Sequence, residues 1–276
     1  MADGIPVLLY HRVADASSRS LANYTLPAAM FGAHLDALVG DDRCLLSVGE
    51  LLRRSRSGEL TGCEVGLTFD DGYADTVDVV APVLERVGAT ATVFVTTGWL
   101  DGAPADLRNH AGDPRLSVDG VRQLSLLGHE IGAHTHSHPQ LDTLPTDQIQ
   151  AELRSSKDLL EQTLGVDISG VAWPHGYADD RVRDAARRAG YVYGAGVGNR
   201  LWDGRDPWRI DRLMVTSDHD VASVLRWAAG DAPSHRSTDR MRTVGWRLAR
   251  RARARVSATS AVTSAAIDAE ASDGVR

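Results

Sequence analysis

The sequence predicts an α/β domain in which βα units surround a mostly parallel sheet. Short apolar, β-branched runs alternate with stretches of helical periodicity from about residue 5 to residue 229. The polar residues His11, Asp70 and Asp71, His134 to His138, and His175 each come just after such a run, which is where α/β folds carry their active groups. The chain has 276 residues, 43% of them hydrophobic and 24% charged, enough for one large domain of this class.

Residues 5–9 form an apolar run ending in Tyr10-His11 and read as a buried first strand. From Leu26 to Leu52 the pattern is helical, with Phe31, His34, Leu35 and Leu38 at spacings of three and four. Val65 to Phe69 is a second strand, followed by Asp70-Asp71-Gly72. Asp75 to Val87 reads as a helix closed by Gly88. Ala91 to Val95 is a strand, Asp101 to Pro114 a loop, and Ser117 to Leu127 a helix closed by Gly128. Glu130 to Ala133 is a strand that runs into a histidine cluster. A helix begins at Thr146, with an apolar face through Ile149, Leu153, Leu159, Leu160 and Leu164. Val171 to Trp173 is a strand, Asp179 to Ala189 a helix, Tyr191 to Tyr193 a strand, Arg212 to Thr216 a last strand and Val221 to Ala229 a last helix.

The pattern ends near Asp231, which divides the chain into a domain over 1–230 and a basic, flexible tail over 231–276. Between Arg236 and Arg255 there are eight arginines and one acid, although the whole chain carries a net charge of −7. The body is therefore strongly acidic and a poor match for nucleic acid; the tail alone suits a polyanion or an anionic membrane surface. Met241, Val244 and Leu248 stand at helical spacing there, which suggests a weak interfacial helix. Cys44 and Cys63 are too few for a disulfide framework and lack metal-ligand spacing. With no basic leader and no run long enough to span a bilayer, the expected location is cytoplasmic.

Two segments carry chemistry. In Thr68-Phe-Asp-Asp-Gly-Tyr73, adjacent carboxylates at a strand end point different ways, so one can hold a cation while the other faces a reacting water. The same residues also suit a plain turn with a helix cap. In His134-Thr-His-Ser-His138, two imidazoles four residues apart can share one ion. With Asp71 they make a two-histidine, one-carboxylate set with open positions, the layout of catalytic zinc.

These motifs give the chain its resemblance to the polysaccharide deacetylases of the NodB-homology type, carbohydrate esterase family 4. The matching stretches include Ile5-Pro-Val-Leu-Leu-Tyr-His-Arg-Val13, Leu67-Thr-Phe-Asp-Asp-Gly-Tyr-Ala74, His134-Thr-x-x-His138-Pro139 and Trp173-Pro-His-Gly176. The resemblance implies a distorted (β/α) barrel with fewer than eight strands, acting on N-acetylated amino sugars. It implies Asp71, His134 and His138 as ligands of a divalent metal: zinc first, with cobalt, nickel or manganese as substitutes. Asp70 is then the catalytic base, the Tyr73 backbone N–H the oxyanion donor, and Thr135 the residue that steadies the loop between the histidines. Carbohydrate is the expected partner.

The family usually carries its general acid in a Leu-x-His motif near the domain's end. Here Leu9-Tyr-His11 stands at the start, similar to the circularly permuted poly-N-acetylglucosamine deacetylase branch, and makes His11 the first candidate. His219 is the second. Where many members have Arg-x-Pro-Tyr, this chain has Ala172-Trp-Pro-His175, so the arginine that would tether Asp70 is missing. Arg212 is a candidate replacement, and a surface or core-rim arginine is an equal reading. Trp173, Pro174 and His175 are candidate sugar contacts, and Trp99, Trp202 and Trp208 are candidates to extend Trp173 into a stacking wall. His34 and His129 sit at helix positions, exposed or half-buried, and His136 should point away from its flanking ligands.

Overall fold

β1 (Val7–Tyr10) and β5 (Glu64–Phe69) are buried along their whole length, as continuous apolar runs are when both faces of a parallel sheet are covered. A computed structural model describes residues 4–100 and 113–233. After β1 come β2 (Arg12–Val13), β3 (Thr25–Leu26), α1 (Ala28–Gly40), β4 (Cys44–Leu46) and α2 (Val48–Ser57), before β5. A π-helical turn over Thr76–Val80 leads into α3 (Ala81–Arg86), then β6 (Thr92–Val95), α4 (Val118–Leu126), β7 (Glu130–Ala133) and α5 (Thr146–Leu164). The remainder is β8 (Gly170–Ala172), α6 (Asp180–Arg188), β9 (Tyr193–Ala195), β10 (Leu213–Met214) and α7 (Val221–Ala228).

All pairings within the main sheet are parallel, in the order β10-β1-β5-β6-β7-β8-β9, with β4 beside the start of β5. The two ends of that order meet: Ala195 of β9 bridges Ile210, three residues before Leu213 opens β10. Gly196 N–H donates to the Ile210 carbonyl at 2.9 Å, and Ile210 N–H returns to Gly194 at 3.2 Å. The result is a distorted (β/α) barrel with seven strands round its ring, one fewer than a complete eightfold barrel.

A ring this narrow is filled by a few large side chains set opposite glycines. A Cβ on Gly132 of β7 would stand 2.5 Å from the Phe94 ring, one on Gly170 2.0 Å from Tyr193, and one on Gly194 2.0 Å from Trp173. Phe94 and Tyr193 pack edge to face, with ring centroids 6.4 Å apart. Below them α2 lies across the end where the strands begin. Its first amides, unpaired within the helix, are taken up by that end: Val48 N–H donates to Thr92 Oγ1 at 2.8 Å and Gly49 N–H to Glu130 Oε2 at 2.8 Å. Tyr193 O–H donates to the other oxygen of Glu130 at 2.8 Å.

Some expected elements are different. The helical reading of Leu26 to Leu52 breaks at Asp41, because Asp42 adopts a left-handed turn (φ 57°) and Cys44–Leu46 pairs with β5. Tyr191 and Val192 precede β9 rather than open it. No helix among the described residues is long and apolar enough to cross a membrane. The arginine-rich segment and the rest of the predicted tail from residue 234 onward lie outside the described residues, as does most of the predicted loop from Asp101 to Pro114.

Candidate metal centre

The carboxyl ends of β1, β5, β7 and β8 deliver His11, Asp70 and Asp71, His134, and His175 to one rim of the barrel. Asp71, His134 and His138 each turn one ligand atom to a common point. His134 Nε2 lies 3.5 Å from Asp71 Oδ1, His138 Nε2 lies 3.4 Å from the same oxygen, and the two imidazole nitrogens are 3.2 Å apart. Tetrahedral zinc, with ligand bonds of about 2.0–2.2 Å, spaces its ligands at about 3.3–3.6 Å.

Proton placement agrees with that fit. The Nδ1–H of His134 donates to the Ala172 carbonyl at 2.9 Å, leaving a bare lone pair on Nε2 aimed at the shared point. Asp71 Oδ1 is buried with no hydrogen-bond partner. Unshared lone pairs facing one another in a desolvated site are unfavourable unless a cation sits among them. The three side chains therefore fit a divalent metal.

The backbone is bent to bring them together. Six non-glycine residues among those described have positive φ, and Asp71 (75°), Thr135 (66°), His138 (61°) and His175 (60°) belong to this site. Each such residue costs roughly 1–3 kcal/mol and persists only where its surroundings over-determine it. Thr135 supplies part of that restraint, since its Oγ1 accepts from His138 N–H at 3.1 Å. His136 turns outward to Thr97 Oγ1 at 2.9 Å.

Asp70 sits beside the triad and is bound by Arg212. Nη1 donates to Oδ1 at 2.6 Å and Nη2 to Oδ2 at 2.8 Å, while Nε donates to the Gly196 carbonyl at 3.0 Å. Arg212 is fully buried, 0% exposed, so this is a desolvated bidentate pair and not a rim contact. Burial pushes the Asp70 carboxyl up, but the Arg212 charge and the nearby His134 outweigh it and hold it below the usual carboxylate range. Burial likewise raises Asp71, and His11, His138, His134 and Arg115 together hold it down at about 2. His138 is driven down to about 3 by burial, reinforced by His134 and opposed by Asp71. Burial lowers His11, against the pull of Asp71 and Asp70.

His11 Nδ1 is buried without a hydrogen-bond partner, and its ring packs 5.1 Å from Tyr24. His219 is committed elsewhere: its Nδ1 accepts from Thr216 N–H and Oγ1–H at 2.9 Å, its carbonyl accepts from His34, and its ring packs on Trp227 at 4.7 Å. The Tyr73 amide is placed by an antiparallel bridge to Arg115. Ala74 N–H donates to Pro114 at 3.1 Å and Leu116 N–H to Gly72 at 2.9 Å, a pattern that turns Tyr73 N–H away from the partner segment.

His175 stacks edge-on to His138 with centroids 4.9 Å apart. Trp173 is buried against Gly194 and Pro174 is also buried, so neither offers an open sugar-stacking face. The suggested tryptophan wall is not assembled: Trp99 packs on His138 at 4.8 Å, but Trp202 lies in the core with Nε1–H on the Asp206 carbonyl, and Trp208 lies under Arg187. His34 and His129 are both buried, not exposed; His34 is bracketed by the Tyr10 hydroxyl and the His219 carbonyl.

Arg115 escaped sequence reasoning. Its guanidinium lies 3.8 Å over the Tyr73 ring and 4.5 Å over Trp99, and Nη1 donates to the Asp71 carbonyl at 3.2 Å. Nothing in its neighbourhood of sequence, an arginine after Pro114, marks that contact.

A family profile described as polysaccharide deacetylase matches residues 57–194, half of the chain. The putative polysaccharide deacetylase YxkH of Bacillus subtilis is 27% identical over 191 residues, 69% of this chain and 63% of that protein. The chain thus spans less than two thirds of that relative's own length. A poly-beta-1,6-N-acetyl-D-glucosamine N-deacetylase of Staphylococcus aureus is 22% identical over 80% of this chain and 81% of its own length. Among solved structures, the Streptococcus pyogenes deacetylase PplD in complex with acetate superposes with a TM-score of 0.72 at 25% identity, over 82% of this chain and 98% of that one. The rim triad, the seven-strand ring and these matches agree: the chain belongs to the polysaccharide deacetylase family.

Proposed function

We propose that this chain hydrolyses the acetamide of N-acetylated amino sugars, releasing acetate and leaving a free amine. The observation that carries the reading is the convergence of Asp71, His134 and His138 on one point, with a second carboxylate, Asp70, beside them and held ionised by Arg212. Zinc is the cation proposed for the triad, on its mixed imidazole and carboxylate donors. When bound it supplies an acidified water and polarises the acetyl carbonyl.

The chain's own residues do the rest. Asp70 accepts the proton of the attacking water. Its low proton affinity keeps it available as a base across neutral pH. Tyr73 N–H, turned out of its bridge, donates to the oxygen that gains charge. His11, once protonated with the help of the Asp70 and Asp71 charges against the effect of burial, delivers that proton to the departing amine, which leaves poorly as an anion. The substrate class, a polymer or oligomer of N-acetylglucosamine, is supported by the name of the Staphylococcus relative. A binding-only role has less support, because the arginine absent at Ala172 has a counterpart in Arg212.

Acetate release from N-acetylglucosamine oligomers, measured with added zinc and after chelation, tests the proposal. Turnover should require the metal, and Asp70→Asn should lower kcat by about 10²–10⁴ while zinc stays bound. A zinc-loaded protein that releases no acetate from any N-acetylated sugar would sink it.

A further inference from the structure

The loop from His134 to His138 contains two residues in left-handed conformation, yet it holds both imidazoles on one point. Part of its restraint is backbone pairing: Thr97 N–H donates to the Thr135 carbonyl at 3.2 Å and Gly98 N–H to the His136 carbonyl at 2.7 Å. These bonds fix the carbonyl side of the turn. With Thr135 at φ 66°, the next two amides, of His136 and Ser137, point together to the other side. Such consecutive N–H groups make a small anion-binding concavity.

That concavity is filled by a carboxylate from the following helix. Glu152 of α5 accepts His136 N–H at 2.9 Å and Ser137 N–H at 2.8 Å on Oε2, and Ser137 O–H at 2.6 Å on Oε1. Three charge-assisted bonds from one side chain tie the peptide between the two histidines to a nineteen-residue helix. None of the three touches a ligand atom.

We propose that Glu152 is a positioning residue for the metal centre: by clamping the His136–Ser137 peptide from α5 it sets the separation of His134 from His138, and with it the affinity for the cation. The inference rests on the metal-centre reading above. Carboxylates behind a coordination shell commonly change metal affinity by about 10- to 100-fold when removed. Replacement by glutamine keeps the size of the side chain but removes its charge, so the two amide bonds lose their charge assistance and Ser137 Oγ must turn from donor to acceptor.

The test compares Glu152→Gln with Glu161→Gln on the full chain. Glu161 is on the same helix, where it accepts from Lys157 at 2.7 Å and from Ile168 N–H at 3.0 Å, away from the loop. Zinc affinity is measured by competition with a chromophoric chelator, and the visible band of the cobalt-loaded protein reports ligand geometry. Glu152→Gln should bind zinc about 10- to 100-fold more weakly and shift the cobalt band, with KM for an acetylated oligomer little changed at saturating zinc. Glu161→Gln should lower thermal stability and leave both metal readouts alone. Ser137→Ala, which removes one of the three bonds, should show a smaller loss and serves if Glu152→Gln does not fold. Zinc affinity within about twofold of the parent in Glu152→Gln, or an equal loss in Glu161→Gln, overturns the proposal. If the parent chain itself fails to bind zinc, the metal-centre reading falls, and this inference falls with it.

Discussion

Arg212 and Asp70 stand 142 positions apart in the chain and meet as a bidentate, solvent-excluded ion pair. Arg212 reaches Asp70 because the last stave of the barrel closes against the first. Removing one partner leaves the other charged and buried, a loss of about 3–5 kcal/mol. Arg212→Met should therefore lower the unfolding free energy by about that amount in a denaturant titration. It should also move the acid limb of the kcat profile to higher pH, because Asp70 without the guanidinium takes up its proton more readily. An unmoved acid limb would separate Arg212 from the base.

His11 and His219 make opposite predictions. His11→Asn should lower kcat by about 10²–10⁴ with zinc binding retained, as for loss of a proton donor. His219→Ala should leave kcat within about twofold and reduce stability instead, because that ring packs on Trp227 and ties up Thr216. Steady-state kinetics on both variants, beside their melting temperatures, decides between them.

Zinc should stabilise the fold through its ligands. At a free concentration one hundred times its Kd, a ligand specific for the folded state adds about 2.7 kcal/mol. Melting curves with and without zinc should separate accordingly for the parent and coincide for His134→Ala. A shift that persists in His134→Ala would place the bound metal elsewhere.

In chelator-treated protein, stability should fall as the pH drops below about 6.5. Burial lowers the proton affinity of His34, His129 and His138, the last to about 3. Between those folded values and 6.5 the unfolded chain binds more protons, so unfolding is favoured by acid, with a slope of up to about 1.4 kcal/mol per pH unit for each group. Asp70 and Asp71 are shifted down from the carboxylate value of 3.8, Asp71 to about 2, so their share of stability is held above 3.8 and lost as the pH falls toward 2. Thermal melts from pH 7 to pH 3 should show decline in the histidine range before the carboxylate range. A flat melting temperature between pH 7 and pH 5 would contradict it.

The ligand set was legible because it is local: two aspartates end one strand, and two histidines four residues apart follow another. Arg212 was legible only as one of two readings, since its partner lies at the end of β5, on the far side of β1 and 142 positions away in sequence. Glu152 and Arg115 were not legible, because each acts through contacts with segments distant in sequence. The break after α1 was hidden for a different reason. Leu45 and Leu46 continue a helical apolar spacing as readily as they start a strand, and the pairing with Glu64 to Gly66 that decides between them is not local.

The packed base of the barrel closes the ring on the side away from the metal-site rim. Phe94, Tyr193 and Trp173 fill the ring, and α2 is bolted beneath it through Thr92 and Glu130. Under the proposed activity, acetate would leave from the same rim at which the sugar chain arrives, and acetate and incoming acyl groups would compete there. On that reading, adaptation to a new glycan would fall to the loops around the rim, and changes deeper down would register as loss of folding.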